Sequence, residues 1–154
     1  MLFRSGVVRD LTESKIAPRA AEIDATDEWP EDVYHLLVQQ ELMGVGYPEA
    51  WGGSGGGSLA FGVLIEELSR VSAGVSLTPL VAKLGVIPLV VAGDTEKAER
   101  MTRGIAKGEI LMSYALTEAD AGSDAGGMQT RYRRDGDSFV LDGTNREEPV
   151  PSQV

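Results

Sequence analysis

Val7, Val8, Leu11 and Ile16 recur at near-helical spacing, and Pro18 opens a second helical piece carrying Ala20, Ala21 and Ile23. A helix with a proline break is predicted there. Trp29-Pro30-Glu31-Asp32 reads as a helix start, because proline is tolerated in the first turn and acidic side chains there complement the macrodipole. Val33, Leu36, Leu37 and Gln40 share one face of that helix, and Gly44 and Gly46 stop it. Tyr47 to Gly57 reads as a loop, after which Ser58 opens a helix with Leu59, Val63, Leu64, Leu68 and Val71 on its buried side. From Leu77 to Val91 the chain is apolar nearly all round, the pattern of a central bundle helix. Pro79 falls near its first turn, whereas Pro88 lies well inside and is expected to kink or divide it. Thr95 is expected to cap a last helix, Glu96 to Ala106, which ends at Gly108.

The period then changes. Ile110, Leu111, Met112, Tyr114 and Leu116 mix alternation with a continuous apolar run, which predicts a largely buried strand. Thr130 to Arg134 and Ser138 to Asp142 form a second pair joined at Asp135-Gly136-Asp137, a strong hairpin signal. The fold class is therefore α+β: an all-α helical domain over residues 1–109, the first strands of an incomplete β-barrel-like domain over 110–145, and a divergent tail over 146–154. With Pro149 and Pro151, that tail is not expected to add strands. Three strands are too few to close a barrel, and an open sheet leaves unpaired edges.

Composition narrows the chemistry. The 154 residues suit one ordinary domain or one and a half small ones, and 42% hydrophobic with 25% charged residues is ordinary for a soluble globular protein. The absence of cysteine excludes a disulfide framework, thiol catalysis and Cys-based zinc or iron-sulfur sites. Any Ser-His-Asp triad has to recruit the single histidine, His35, which sits in a helical pattern and reads as a surface or boundary residue. A net charge of -10 repels nucleic acid and anionic membrane surfaces. No segment approaches the roughly 20 continuous apolar residues of a membrane span, the longest stretch being Leu84 to Ala92. The N-terminus lacks a long apolar h-region and a small-residue cleavage site, so it reads as the start of the folded chain, and a cytoplasmic location is expected.

The densest candidate chemistry is Tyr114 to Asp124, Y-A-L-T-E-A-D-A-G-S-D. A strand running into such a loop offers backbone N–H groups, the Thr117 and Ser123 hydroxyls, and at Gly122 a position where a flat ligand can approach closely. Its plain alternative is a polar turn between two strands. Glu118, Asp120 and Asp124 supply carboxylates suited to a hard cation, but they lack the D-x-D-x-D-G alternation, so no metal site is expected. Glu118 is an equally weak candidate for a catalytic base. The glycine run from Gly52 to Gly57 has neither the G-K-[ST] ending nor a preceding strand, so it reads as a flexible loop and not as a phosphate cradle.

These segments resemble, in order, motifs of the acyl-CoA dehydrogenase family. Tyr114 to Asp124 is similar to the family's flavin-binding signature, and Pro48 to Gly53 (P-E-A-W-G-G) to its P-x-x-[WYF]-G-G loop. Gly93 to Arg100 is similar to the start of its next helix, and Thr130 to Asn145 to the two strands after the signature. The match stops at Arg146, where the family continues with a lysine and a W-I-T motif. The resemblance implies FAD as cofactor and an acyl-CoA thioester as substrate, in an α,β-dehydrogenation. It also implies that Tyr114, Leu116 and Thr117 line the isoalloxazine ring, with Thr117 at the pyrimidine side. Gly122 and Ser123 then continue along the cofactor, and Ser123 also faces the CoA part of the substrate. Two positions depart from the family pattern: Ala119 replaces a usual proline, which loosens the loop, and Asp120 replaces a usual glycine, which adds a charge near an anionic cofactor. The Leu77 to Val91 helix borders the fatty acyl pocket in that family.

Because the family's catalytic glutamate lies in a later part of the chain, the implied protein is a truncated, N-terminal piece of a flavin-dependent oxidoreductase, inactive alone. Other readings are a non-catalytic partner docking on a complete dehydrogenase subunit, self-association, or a helical acyl-binding module. Acyl-CoA oxidases and nitroalkane oxidases share the same architecture.

Overall fold

The computed structural model describes residues 5–145, so the tail reading at 146–154 and the first residues of the N-terminus lie outside the described residues. Two compact units divide between Met112 and Ser113. The first is helical. Helix α1 (Ser5–Leu11) passes through a π turn (Thr12–Ile16) into α2 (Ala17–Thr26). The proline break is that widened turn: Pro18 lies in the first turn of α2, and the Ala17 N–H donates to the Thr12 carbonyl. A missing proline N–H costs least at a helix start. The buried Thr12 hydroxyl donates to the Val8 carbonyl at 2.6 Å, so its polar atom is satisfied within the helix.

Helix α3 (Glu31–Gln39) starts as its acidic first turn predicts, but its buried face consists of Val33, Tyr34 and Leu37. Leu36 is half-buried and Gln40 is exposed; Tyr34 takes the place expected of them, with its ring 5.6 Å from that of Trp29. Helix α4 (Gly57–Ser69) buries Ala60, Leu64, Glu67 and Leu68. Leu59, expected inside, is 82% exposed. It lies about 100° round the helix from Ala60, off the stripe.

Helix α5 (Ala73–Val91) is capped by the Ser72 hydroxyl, which accepts the Val75 N–H at 3.3 Å. It runs undivided through Pro88, one turn from its end, although the ring takes away the N–H that would reach the Leu84 carbonyl. Nor is it buried all round. Val75, Ser76, Pro79, Ala82 and Val86 form one buried stripe, while Leu77, Ile87, Val90 and Val91 are exposed. Its apolar character is longer than the Leu84 to Ala92 stretch, and by length and composition it is the one described helix that could cross a membrane. Its stripe packs against α4 and against α6 (Thr95–Lys107), as a core helix does. Helix α6 is capped by Asp94 and not by Thr95: the Asp94 carboxylate accepts the Lys97 N–H at 3.0 Å. Gly108 ends it with φ +72°, the left-handed conformation that suits glycine at this position.

Ile16, Leu37, Leu64, Leu68 and Ile105 are fully buried where these helices meet. Each contributes roughly 1.5–3 kcal/mol by leaving water. Beside them the Arg9 guanidinium donates to Glu67 (Nε to Oε2 2.9 Å), and Arg70 reaches Glu67 at 3.5 Å and also pairs with Glu13. The hydrogen bonds from Arg9 hold the Glu67 carboxyl below its usual 4.5. A depressed folded-state pKa stabilises the fold above the unfolded value and ceases to do so as pH falls through the folded one. Glu67→Gln is therefore expected to lower the melting temperature at pH 7, with the gap from wild type closing as pH drops below 4.5. Thermal melts of both proteins between pH 7 and pH 3 measure it.

The predicted strand over Ile110 to Leu116 is not a strand. A ladder needs a neighbour, and no described segment runs beside it. Ile110, Leu111 and Met112 instead pack on the helical core. The contacts are close: a Cβ at Gly104 would stand 2.4 Å from Ile110 Cδ1, and one at Gly85 would stand 2.9 Å from Met112 Cε. Helical packing has taken the side chains that read as strand.

The second unit contains an antiparallel hairpin, β1 (Arg131–Asp135) and β2 (Ser138–Asp142), in register from Arg131 opposite Asp142 to Asp135 opposite Ser138. Gly136 sits at the first loop position with φ +61°, as a type II′ turn requires. Tyr132, Arg134, Phe139 and Leu141 share one face, where the Tyr132 and Phe139 rings meet edge-on at 5.9 Å. Every strand residue is exposed.

Candidate functional site

The Tyr114 to Asp124 segment lies wholly in the second unit. Glu118 organises it. Its backbone N–H donates to the Ala121 carbonyl at 3.0 Å and its carbonyl accepts the Ala121 N–H at 3.4 Å, closing a tight turn over Glu118 to Ala121. Ala121, which closes that turn, is buried. The Glu118 carboxylate faces inward, only 8% exposed, and accepts the Gln129 N–H at 2.7 Å and the Thr130 N–H at 2.9 Å. Bonds from the Thr130 hydroxyl and these two amides hold its carboxyl below the ordinary carboxylate range. Further along, a 3₁₀ turn over Ala125–Gly127 follows Asp124, whose carbonyl accepts the Gly127 N–H at 3.0 Å.

The five candidate cofactor residues flank this turn. Thr117 precedes it, Gly122 and Ser123 leave it, and all three are exposed. Leu116 is exposed and Tyr114 half-buried in the extended segment before the turn. A Cβ at Gly122 would meet nothing within 4 Å, so no described residue crowds that position. Among the described residues, the Gly122 and Ser123 N–H groups and the Ser123 hydroxyl have no acceptor. The segment thus offers exposed donors without a described acceptor beside an uncrowded glycine, a donor set that fits a flat ring system rich in acceptors.

Other candidates fall away from chemistry. Glu118, Asp120 and Asp124 do not converge: among the described residues no three His, Cys, Asp or Glu side chains are placed to hold a metal ion. His35 is exposed, 3.5 Å from Glu31. The glycine run, read as flexible, is an ordered loop in this structure. Gly46 N–H donates to the Gly55 carbonyl at 2.8 Å, Ser54 N–H to Gly44 at 2.8 Å and Gly55 N–H to Tyr47 at 3.0 Å. Lys83 closes it from α5, donating to the Gly46 carbonyl at 2.9 Å with its ammonium over the Phe61 and Tyr47 rings, an arrangement that supplements the hydrogen bond with cation–π attraction. Burial lowers the Lys83 pKa. Sequence reasoning missed Glu118 as a structural centre. The available signal was a carboxylate inside a motif for which neither base nor metal chemistry could be assigned.

The model of the acyl-CoA dehydrogenase N-terminal domain matches residues 3–109. The chain belongs to the acyl-CoA dehydrogenase family. It is 41% identical over 136 residues to "Probable acyl-CoA dehydrogenase FadE25" of Mycobacterium tuberculosis, covering 88% of this chain and 35% of that protein. It is 36% identical over 139 residues to a 3-(aryl)acrylate reductase of Clostridium sporogenes, covering 89% of this chain and 37% of the relative. In three dimensions it is similar to butyryl-CoA dehydrogenase from Megasphaera elsdenii, with a TM-score of 0.79 at 30% identity over 90% of this chain and 38% of that one. The chain therefore spans little more than a third of the length of the acyl-CoA dehydrogenases that it matches, and it corresponds to their N-terminal part: the helical domain and the start of the β domain.

Proposed function

We propose that this chain supplies the N-terminal domain and the flavin-facing loop of a FAD-dependent enzyme acting on acyl-CoA thioesters by α,β-dehydrogenation. Family membership supports the reaction class, and the exposed donors of Gly122 and Ser123, which have no acceptor among the described residues, carry the assignment of the loop. When bound, FAD supplies the hydride acceptor. The chain's own residues bind and orient: Thr117, Gly122 and Ser123 donate hydrogen bonds, Tyr114 and Leu116 offer apolar surface to the ring, and Ser123 also faces the CoA portion of the substrate. Removal of a weakly acidic α proton needs a positioned carboxylate. Glu118 is poorly suited to that task, because it is nearly buried and three hydrogen bonds hold its carboxyl below the ordinary range, which makes it a weak proton acceptor. This reading takes the base from a part of the family that this chain does not span, and the chain by itself is expected to bind cofactor without turnover. The reductase among its relatives leaves the direction of hydride flow to the substrate and acceptor.

The test is the visible spectrum of the purified chain after addition of FAD and desalting. A retained, perturbed flavin band supports the reading; a colourless protein overturns cofactor binding by this chain alone. Gly122→Val sharpens the test. A Cβ there meets no described residue within 4 Å, so the variant is expected to keep the wild-type melting temperature and lose the retained flavin band.

A second reading is association with a complete dehydrogenase subunit or with a second copy. The exposed side of α5 and the uncovered hairpin favour it, since exposed apolar faces and open strand edges mark interaction surfaces. Light scattering of the chain alone and with such a subunit decides between them.

A further inference from the structure

We propose that Glu118 is the positioning residue of the signature loop: its carboxylate ties the segment to the foot of the hairpin and so sets where Thr117, Gly122 and Ser123 stand. This rests on the flavin reading above for its purpose, though not for its geometry. Glu118 is nearly buried, and both oxygens are used, one by the Gln129 N–H and one by the Thr130 N–H immediately before β1. Its backbone closes the Glu118 to Ala121 turn at the same point. One residue thus holds the segment at two places. The carboxylate joins its start to the hairpin, closing the intervening loop, and the turn directs the chain out into Gly122 and Ser123.

The turn also takes in the two positions at which the motif departs from the family pattern. Ala119 and Asp120 stand where proline and glycine are usual, and both lie inside the turn that Glu118 closes. A proline limits the conformations open to the unbound loop; here two charge-assisted hydrogen bonds to backbone amides restrict the same segment. An ionised carboxylate suits the task because it is acceptor-only. Glutamine has the same shape but presents an NH2 donor to one of the two amides, so that bond is lost and the donor is left facing a donor.

The experiment compares the full chain with E118Q, and with Thr130→Val, which removes only the hydroxyl bond and keeps both amides paired. Amide exchange is followed residue by residue, and FAD affinity and the flavin band are measured on the same samples. In E118Q, exchange at Gln129 or Thr130 and across 117–124 is expected to rise roughly tenfold while α1–α6 stay protected. FAD is expected to bind about tenfold more weakly with an altered band, and Thr130→Val to fall between. Unchanged exchange at 117–130 overturns the proposal, as does raised exchange with unchanged FAD affinity and band. A wild-type chain that takes up no FAD overturns the flavin reading instead, and the exchange results then decide the loop closure by themselves.

Discussion

Leu64→Ala is expected to cost about 3 kcal/mol and to lower the melting temperature of the helical unit by on the order of 10 °C or more. Leu64 is 0% exposed on α4, the helix that packs against both α1 and α5. Truncation there removes apolar contacts on several sides and leaves a cavity that surrounding helices cannot close without moving together. For a domain whose whole stability is about 5–15 kcal/mol, such a loss is a large fraction. The control lies on the same helix. Leu59→Ala removes an equal number of atoms from a side chain that is 82% exposed, and its expected effect is within about 0.5 kcal/mol. Denaturant titration of both variants measures the difference, and equal losses would contradict the assigned face of α4.

Gly46→Ala is expected to cost roughly 2–5 kcal/mol, combining left-handed backbone strain with overpacking. Gly46 has φ +83°, and an added Cβ would stand 2.5 Å from Lys83 Nζ and 2.8 Å from Phe61 Cβ. The lysine end can swing away, but it then gives up the Gly46 carbonyl and the two rings. Phe61 Cβ belongs to the frame of α4 and cannot move alone. The added methyl therefore displaces α4 from the loop or breaks the Gly46 to Gly55 bond. Gly62→Ala is the contrast: it sits inside α4 with nothing within 4 Å of the new Cβ, so it is expected to stabilise by roughly 0.5–1 kcal/mol. Melts of the two alanine variants should move in opposite directions.

Much of the helical unit was legible before any coordinates. The acidic start of α3, the glycine end of α6 and the one-sided stripe of α4 follow from rules that act within a turn or two, and each element appears near its expected bounds. Most errors gathered where the answer depended on a neighbour from another element. Leu59 and Gln40 carried the right period and the wrong side, because the period of a helix says nothing about which side meets another helix. The cap of α6 shifted by one residue, from Thr95 to Asp94, since both can accept a backbone N–H and local geometry selects between them. Ile110 to Met112 read as strand because a short apolar run has no period of its own, and the glycines that receive it, Gly85 and Gly104, lie on two other helices.

The candidate site divides in the same way. Thr117, Gly122 and Ser123 could be named from the motif, since backbone donors, hydroxyls and an absent side chain are properties of residue types. The role of Glu118 could not, because its partners stand eleven and twelve residues further along and no local rule links them. By itself the sequence determined which segments are helical and where the hairpin turns, both consequences of short-range backbone preference and residue chemistry, and which family its motifs resemble. Only the tertiary structure decided which faces are buried, that the run after α6 joins the helical core, and that a buried carboxylate closes the loop. Those outcomes depend on burial and on hydrogen-bond partners that chain folding brings together from afar.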